Sequence, residues 1–199
     1  MLIEKAVNDI DSDIVFWTGD IVPHDIWNQK LDHVMFYQRE ITEALKTNFT
    51  SQQIYPLMGN HDFANLNSHD LSVPYSDWAL LHTAELWTEG DDPLIFEKEE
   101  AELFEQYSYY SLPLKTKKDK KMSQNGRIIV INTEAGYLHN LLLYKTRQDP
   151  GGQLAWLESL LTKMEADGEF AIILGHVPSS KEDFSSNWAL RLRALMDRF

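Results

Sequence analysis

Residues 13–20, Asp-Ile-Val-Phe-Trp-Thr-Gly-Asp, decide the fold class. Ile14 to Trp17 is an unbroken apolar run rich in strand formers, and Gly19 ends it. A short apolar run without alternation is the pattern of a buried parallel strand entering a loop. Residues 28–47 then place Leu31, Val34, Met35, Ile41 and Leu45 at helical spacing. Residues 54–62, Ile-Tyr-Pro-Leu-Met-Gly-Asn-His-Asp, give a second short strand closed by Gly59. Strand, helix and strand in that order make a βαβ unit, and hence an α/β fold.

Outward from this unit the signals vary. Residues 3–10 carry apolar side chains at helical spacing and predict the end of a short helix. Residues 85–105 are strongly acidic and predict a solvated helix or an insertion. Residues 107–114 and 127–137 predict two strands joined by a lysine-rich link, with Asn125-Gly126 as the turn signal. Residues 149–168 read as a punctuated helix, with Asp149 and Pro150 at its start and Gly168 at its end. Phe170 to Leu174 predicts a further buried strand, and a last helix starts near Asn187.

Composition narrows the function classes. Lys and Arg number 18 against 31 Asp and Glu, so the formal net charge is −13. A chain this acidic repels nucleic acid backbone and anionic membrane at long range, and no nucleic-acid partner is expected. It has no cysteine, which excludes a disulfide framework, a thiolate metal site and a Cys nucleophile. Its apolar stretches are far too short to span a bilayer, so no transmembrane segment is expected. The opening residues hold acids and no apolar core of signal-peptide length.

Three strand ends carry closely similar polar signatures, namely Gly19-Asp20, Gly59-Asn60-His61-Asp62 and Gly175-His176-Val177-Pro178. Sites in open α/β sheets form beyond the carboxyl ends of strands, where loops converge. A glycine there lets the backbone turn and deliver the next side chain. A carboxylate, an amide oxygen and two imidazoles suit a borderline or hard divalent ion. Gly-Asp alone carries almost no weight, whereas Gly-Asn-His-Asp arises by chance in about one chain in a thousand of this length. Four polar groups at buried strand ends would be costly without an ion to satisfy them. Asp62 reads as a helix cap or as an orienter of the His61 ring.

These motifs, with residues 13–29, the Asp149–Leu157 stretch and the Asn187-Trp188 helix, resemble the calcineurin-like metallophosphoesterases, and among them the acid sphingomyelinase-like phosphodiesterases. The resemblance implies a layered β-sandwich flanked by helices. It implies a phosphodiesterase with two divalent ions, zinc first and Mn, Fe or Mg as alternatives, bridged by a hydroxide. Asp20 would be the bridging ligand, and Asn60 and His176 would complete one ion's shell. His61 would stand at the phosphate as general acid or charge stabiliser, with His24 as a second imidazole. The substrate would be a phosphate ester, a phospholipid among the options, and the compartment secreted or lysosomal and vacuolar. The family's upstream Asp-x-His and its Gly-His-x-His are not in the sequence. Residues 1–199 are therefore expected to be one truncated domain, holding one ion weakly and a second hardly at all. Two alternatives stay open: a non-catalytic remnant, and a polyphosphate or nucleotide phosphohydrolase. Trp17 and Trp27 are the expected cleft walls, the other tryptophans core packing. His33, His69, His82 and His139 are expected to be surface or satisfied histidines.

Overall fold

A computed structural model describes residues 12–63, 65–115, 122–145, 148–179 and 182–199. The helix expected at 3–10 and the tip of the lysine-rich link lie outside the described residues. The expected βαβ unit is present. Strand β1 (Ile14–Trp17), helix α1 (Leu31–Asn48) and strand β2 (Gln53–Pro56) follow in order, and β1 pairs parallel with β2. All of β2 is buried, which explains why its run of residues shows no alternation.

The acidic middle resolves into two helices, α2 (Trp78–Thr88) and α3 (Lys98–Tyr107). Asp77 caps α2 by accepting the amides of Ala79 and Leu80. Strand β3 (Tyr110–Lys115) pairs antiparallel with β4 (Met122–Val130), and β4 pairs parallel with β5 (Phe170–Leu174). Asn125-Gly126 is not the turn; both residues lie inside β4, with Gly126 opposite Phe170. The Phe170 ring occupies the space a Cβ at Gly126 would need, so packing against the neighbouring strand fixes that glycine. Nor is β5 fully buried. Among the described residues it pairs with β4 alone, and Phe170 is 50% exposed.

Helix α4 (Gln153–Asp167) starts after the left-handed Gly151 and Gly152, and its first amides, Leu154 and Ala155, donate to the Asp149 carboxylate. Helix α5 (Ser186–Arg198) ends the described chain. The three-stranded sheet is covered on both faces. On one face Tyr110, Leu112, Ile128 and Val130 pack into a core shared with Ile54, Tyr55, Leu80, Trp87 and Phe104. On the other, Ile129 and Ile131 meet Leu154, Leu157, Leu161, Trp188 and Leu192 of α4 and α5. Hydrogen bonds tie the two sheets across the first core: the Tyr55 hydroxyl donates to the Pro113 carbonyl at 3.0 Å and the Tyr110 hydroxyl to the Pro56 carbonyl at 2.6 Å. The result is the α/β layering that the sequence predicted.

Candidate metal centre

β1, β2 and β5 each end in one of the three polar signatures, and the structure brings all three together. After β1, Gly19 (φ +85°) and Asp20 (φ 58°) are both left-handed. That conformation is strained for a residue with a side chain, although Asp tolerates it better than most. It folds the β1 loop against the β2 loop. A Cβ on Gly59 would stand 2.3 Å from Asp20 Oδ1 and 2.9 Å from His176 Cε1. Only glycine permits an approach this close.

Asp62 locks the two loops. Its side chain is buried and accepts three backbone amides: Gly59 at 2.7 Å, Asp20 at 2.8 Å and Ile21 at 2.6 Å. Asp62 therefore neither caps a helix nor orients the His61 ring, as the sequence had suggested; it clamps the backbone that presents Asp20. Burial pushes its carboxyl up to about 6, against the pull of the amide donors.

Three atoms then converge. His176 Nε2 lies 3.3 Å from Asp20 Oδ1 and 3.0 Å from Asn60 Oδ1. The opposite ring edge is fixed, because the Nδ1–H of His176 donates to the Thr18 carbonyl at 2.7 Å. The amide of Asn60 is fixed as well, since its Nδ2 donates to Asn67 Oδ1 at 2.8 Å and turns Oδ1 inward. A cation belongs between these three atoms: the Nε2 proton of charged His176 in the metal-free protein, in keeping with the raised His176, or a metal ion once Nδ1 carries the only ring proton. Separations of about 3.0–3.4 Å are the polyhedron edges expected of donors bound at about 2.1 Å to one ion. The donor set therefore fits a divalent metal.

On the open side, His24 Nε2 is 3.5 Å from Asp20 Oδ2, and the His24 ring stacks on His61. Ligand atoms of Asp20, His24 and His61 lie within 4.8 Å of one another. His61 donates its backbone amide to Asp20 Oδ1 at 3.2 Å, and its buried Nδ1 has no hydrogen-bond partner. Charge is distributed unevenly. Burial raises the Asp20 carboxyl, but the His176 hydrogen bond and charge outweigh it, and Asp20 titrates below the usual carboxylate range. Burial opposes charge on His176 too, yet its bonds to Asp20 and Thr18 raise it. His61 is lowered, first by burial and then by the other two imidazoles, with Asp20 opposing.

The family model described as Calcineurin-like phosphoesterase matches residues 1–196. The chain belongs to that family. Sphingomyelin phosphodiesterase B of Dictyostelium discoideum is 33% identical over 195 residues, covering 95% of this chain and 28% of that protein. Acid sphingomyelinase-like phosphodiesterase 3b of Mus musculus is 32% identical over 168 residues, 83% of this chain and 34% of its own. Sphingomyelin phosphodiesterase of Homo sapiens is 27% identical over 172 residues, 83% of this chain and 25% of its own. The chain thus spans about a third or less of each of these relatives.

For this calcineurin-like phosphoesterase, the sequence missed several supporting residues. Gln29 donates to the His61 carbonyl at 2.8 Å, Asn67 holds the Asn60 amide, and Gln38 holds the Asp62 carbonyl at 2.9 Å. Gln29 closes the stretch 13–29 but gave no hint of this role, and Asn67 and Gln38 lie in no motif. Trp27 stands out into solvent, 86% exposed, rather than forming a closed wall, and Trp78 is exposed as well. His69 is neither a surface nor a satisfied histidine: it is buried, accepts from Asn132 at Nδ1 and leaves Nε2 without a partner. No helix among the described residues is long and apolar enough to cross a membrane.

Proposed function

We propose that this chain carries the phosphodiester-hydrolysing centre of a sphingomyelinase-like phosphodiesterase, with Asp20, Asn60 and His176 as ligands of a divalent cation and His61 and His24 as the imidazoles that meet the phosphate. The observation that carries the reading is the convergence of three lone-pair atoms from three strand ends, each held by a second contact. A bound divalent ion, zinc by preference, would supply Lewis acidity to the phosphate oxygens and to the attacking water.

The chain's own groups do the rest. Asp62 holds the β1 loop so that Asp20 points inward. The Thr18 carbonyl keeps the proton of His176 on Nδ1 and leaves Nε2 free. Asn67 turns the carbonyl oxygen of Asn60 toward the same point. Burial lowers His61, which makes its protonated form a stronger acid toward a leaving alkoxide. His24, open to solvent on the outer side of the stack, meets the phosphate as a second imidazole. The cation also offsets the net charge of −13, which would otherwise repel a phosphate ester.

The relatives' printed names point to sphingomyelin as the ester, and a secreted or lysosomal compartment goes with that reading. The domain arrangement follows from it: residues 1–199 supply one ion's ligands within a single phosphoesterase domain. The test is hydrolysis of bis-p-nitrophenyl phosphate by the Zn²⁺-loaded protein, beside sphingomyelin in mixed micelles. Zn²⁺-dependent hydrolysis that Asp20→Asn abolishes supports the reading. Activity that Asp20→Asn retains in full contradicts it.

A further inference from the structure

Glu134 is a carboxylate for which the centre described above has no use so far. It lies in the 3₁₀ turn Thr133–Ala135, just beyond β4. Because β4 and β5 are parallel, this turn emerges at the same sheet end as Gly175-His176. Two bonds hold the two loops together: the Ile131 amide donates to the Leu174 carbonyl at 2.9 Å, and the Val177 amide donates to Thr133 Oγ1 at 3.1 Å. Gly175 makes room for the turn, since a Cβ there would meet the Thr133 methyl at 2.9 Å. The backbone of Glu134 is fully engaged. Its amide donates to Asn132 Oδ1 at 3.0 Å and its carbonyl accepts from Asn140 Nδ2 at 3.3 Å.

Its side chain is 2% exposed, yet neither carboxyl oxygen has a hydrogen-bond partner among the described residues. A buried, unpartnered carboxylate is one of the costliest arrangements in a protein interior. A bound ion or water is one way such a group is satisfied. Glu134 lies in the electrostatic field of His176 and Asp20, the two groups that act on it besides burial, and burial pushes its carboxyl up to about 8. A divalent cation at this end of the sheet would stabilise the ionised form of a buried carboxylate beside it.

We propose that Glu134 is a further acidic residue of this metal centre, acting through a water on the cation held by Asp20, Asn60 and His176. The inference rests on the reading that those three residues bind a cation. It adds a residue from the turn after β4, a strand whose end carries none of the three glycine signatures.

Calorimetric titration of the purified protein with Zn²⁺, paired with thermal unfolding, tests it. Glu134→Gln is expected to weaken Zn²⁺ binding about tenfold or more, the usual cost of removing a residue that supports a metal site. The same variant is expected to raise the melting temperature of the metal-free protein, because a neutral amide replaces an unpaired buried acid. Glu134→Asp, which keeps the charge and shortens the reach, is expected to fall between wild type and Glu134→Gln in affinity. Wild-type affinity in both Glu134 variants, with binding lost in Asp20→Asn, overturns the role of Glu134 and leaves the three-ligand reading standing. Unchanged binding in Asp20→Asn removes the cation reading itself and the Glu134 proposal with it. A lower metal-free melting temperature with unchanged Zn²⁺ affinity marks Glu134 as a merely structural residue and also overturns the proposal.

Discussion

The imidazole of His24 lies flat against that of His61, with ring centroids 3.9 Å apart and planes 10° from parallel. Two imidazolium charges at that distance repel strongly, so the stack holds one proton more readily than two. The inner ring is the one lowered by burial, and the outer side chain is 69% exposed. This arrangement sets His61 on the inner side of the stack and His24 on the outer.

The first prediction separates proton donation from simple binding. His61→Asn is expected to lower kcat by about 10²-fold or more on an ester with an alkoxide leaving group, the range general acids supply. On a nitrophenyl ester, whose leaving group needs no proton, the loss is expected to be much smaller. His24→Asn is expected to cost less than His61→Asn on both. Steady-state kinetics with the two ester types decides, and equal losses on both for His61→Asn would contradict the role.

A second prediction concerns the clamp. Asp62→Asn keeps one accepting oxygen in place of two and strands a buried amide among Gly59, Asp20 and Ile21. Unfolding free energy is expected to fall by about 2–3 kcal/mol. Zn²⁺ affinity should fall along with it, because Asp20 loses its fixed direction. Denaturant unfolding and calorimetry on one preparation check both; an unchanged midpoint would remove the clamp from the account.

Gly59→Ala tests the close approach of the loops. The added methyl would collide with Asp20 Oδ1 and Asp20 N, at 2.3 and 2.6 Å, and the latter belongs to backbone that the clamp prevents from yielding. The melting temperature is expected to drop by about 5 °C or more, and Zn²⁺ binding is expected to be lost. Differential scanning calorimetry with and without Zn²⁺ reads both.

The pH dependence of stability is expected to carry the signature of His69. Burial holds this imidazole down to about 3 from an ordinary 6.5. In the unfolded chain it takes up a proton below about 6.5, whereas the folded protein stays neutral there. The unfolded state therefore binds more protons, and stability declines as pH falls from 6.5 toward 3. His69→Asn, which leaves an amide oxygen for Asn132, is expected to flatten that decline. Melting temperatures at a series of pH values compare the two proteins; parallel curves would contradict the assignment.

Much of the centre was legible in the sequence because its signals are local. Ile14–Trp17 and Gln53–Pro56 are short apolar or buried runs, and a glycine soon after each announces the loop that carries Asp20 or Asn60. Helix α2 was harder to see. It buries Ala79, Leu80, His82, Thr83, Ala84 and Trp87 around much of its girth, so it has no polar stripe to contrast with an apolar one. Asn125-Gly126 misled for the opposite reason, since a strong turn signal was overridden by pairing with β5. The work of Asp62 and Asn67 depends on contacts across 42 and 7 residues of chain, and Glu134 comes into the field of His176 across 42. Such contacts exist only once the sheets are assembled, and no spacing rule announces them.

The most direct test of the central claim is Co²⁺ substitution followed by visible absorption, because the cobalt bands report the number and kind of protein ligands. The account requires one tightly bound Co²⁺ with a low-symmetry oxygen-and-nitrogen spectrum that Asp20→Asn, Asn60→Leu and His176→Ala each change or abolish. An identical spectrum in wild type and all three variants, or none in wild type, would contradict the meeting of these three strand ends at one ion.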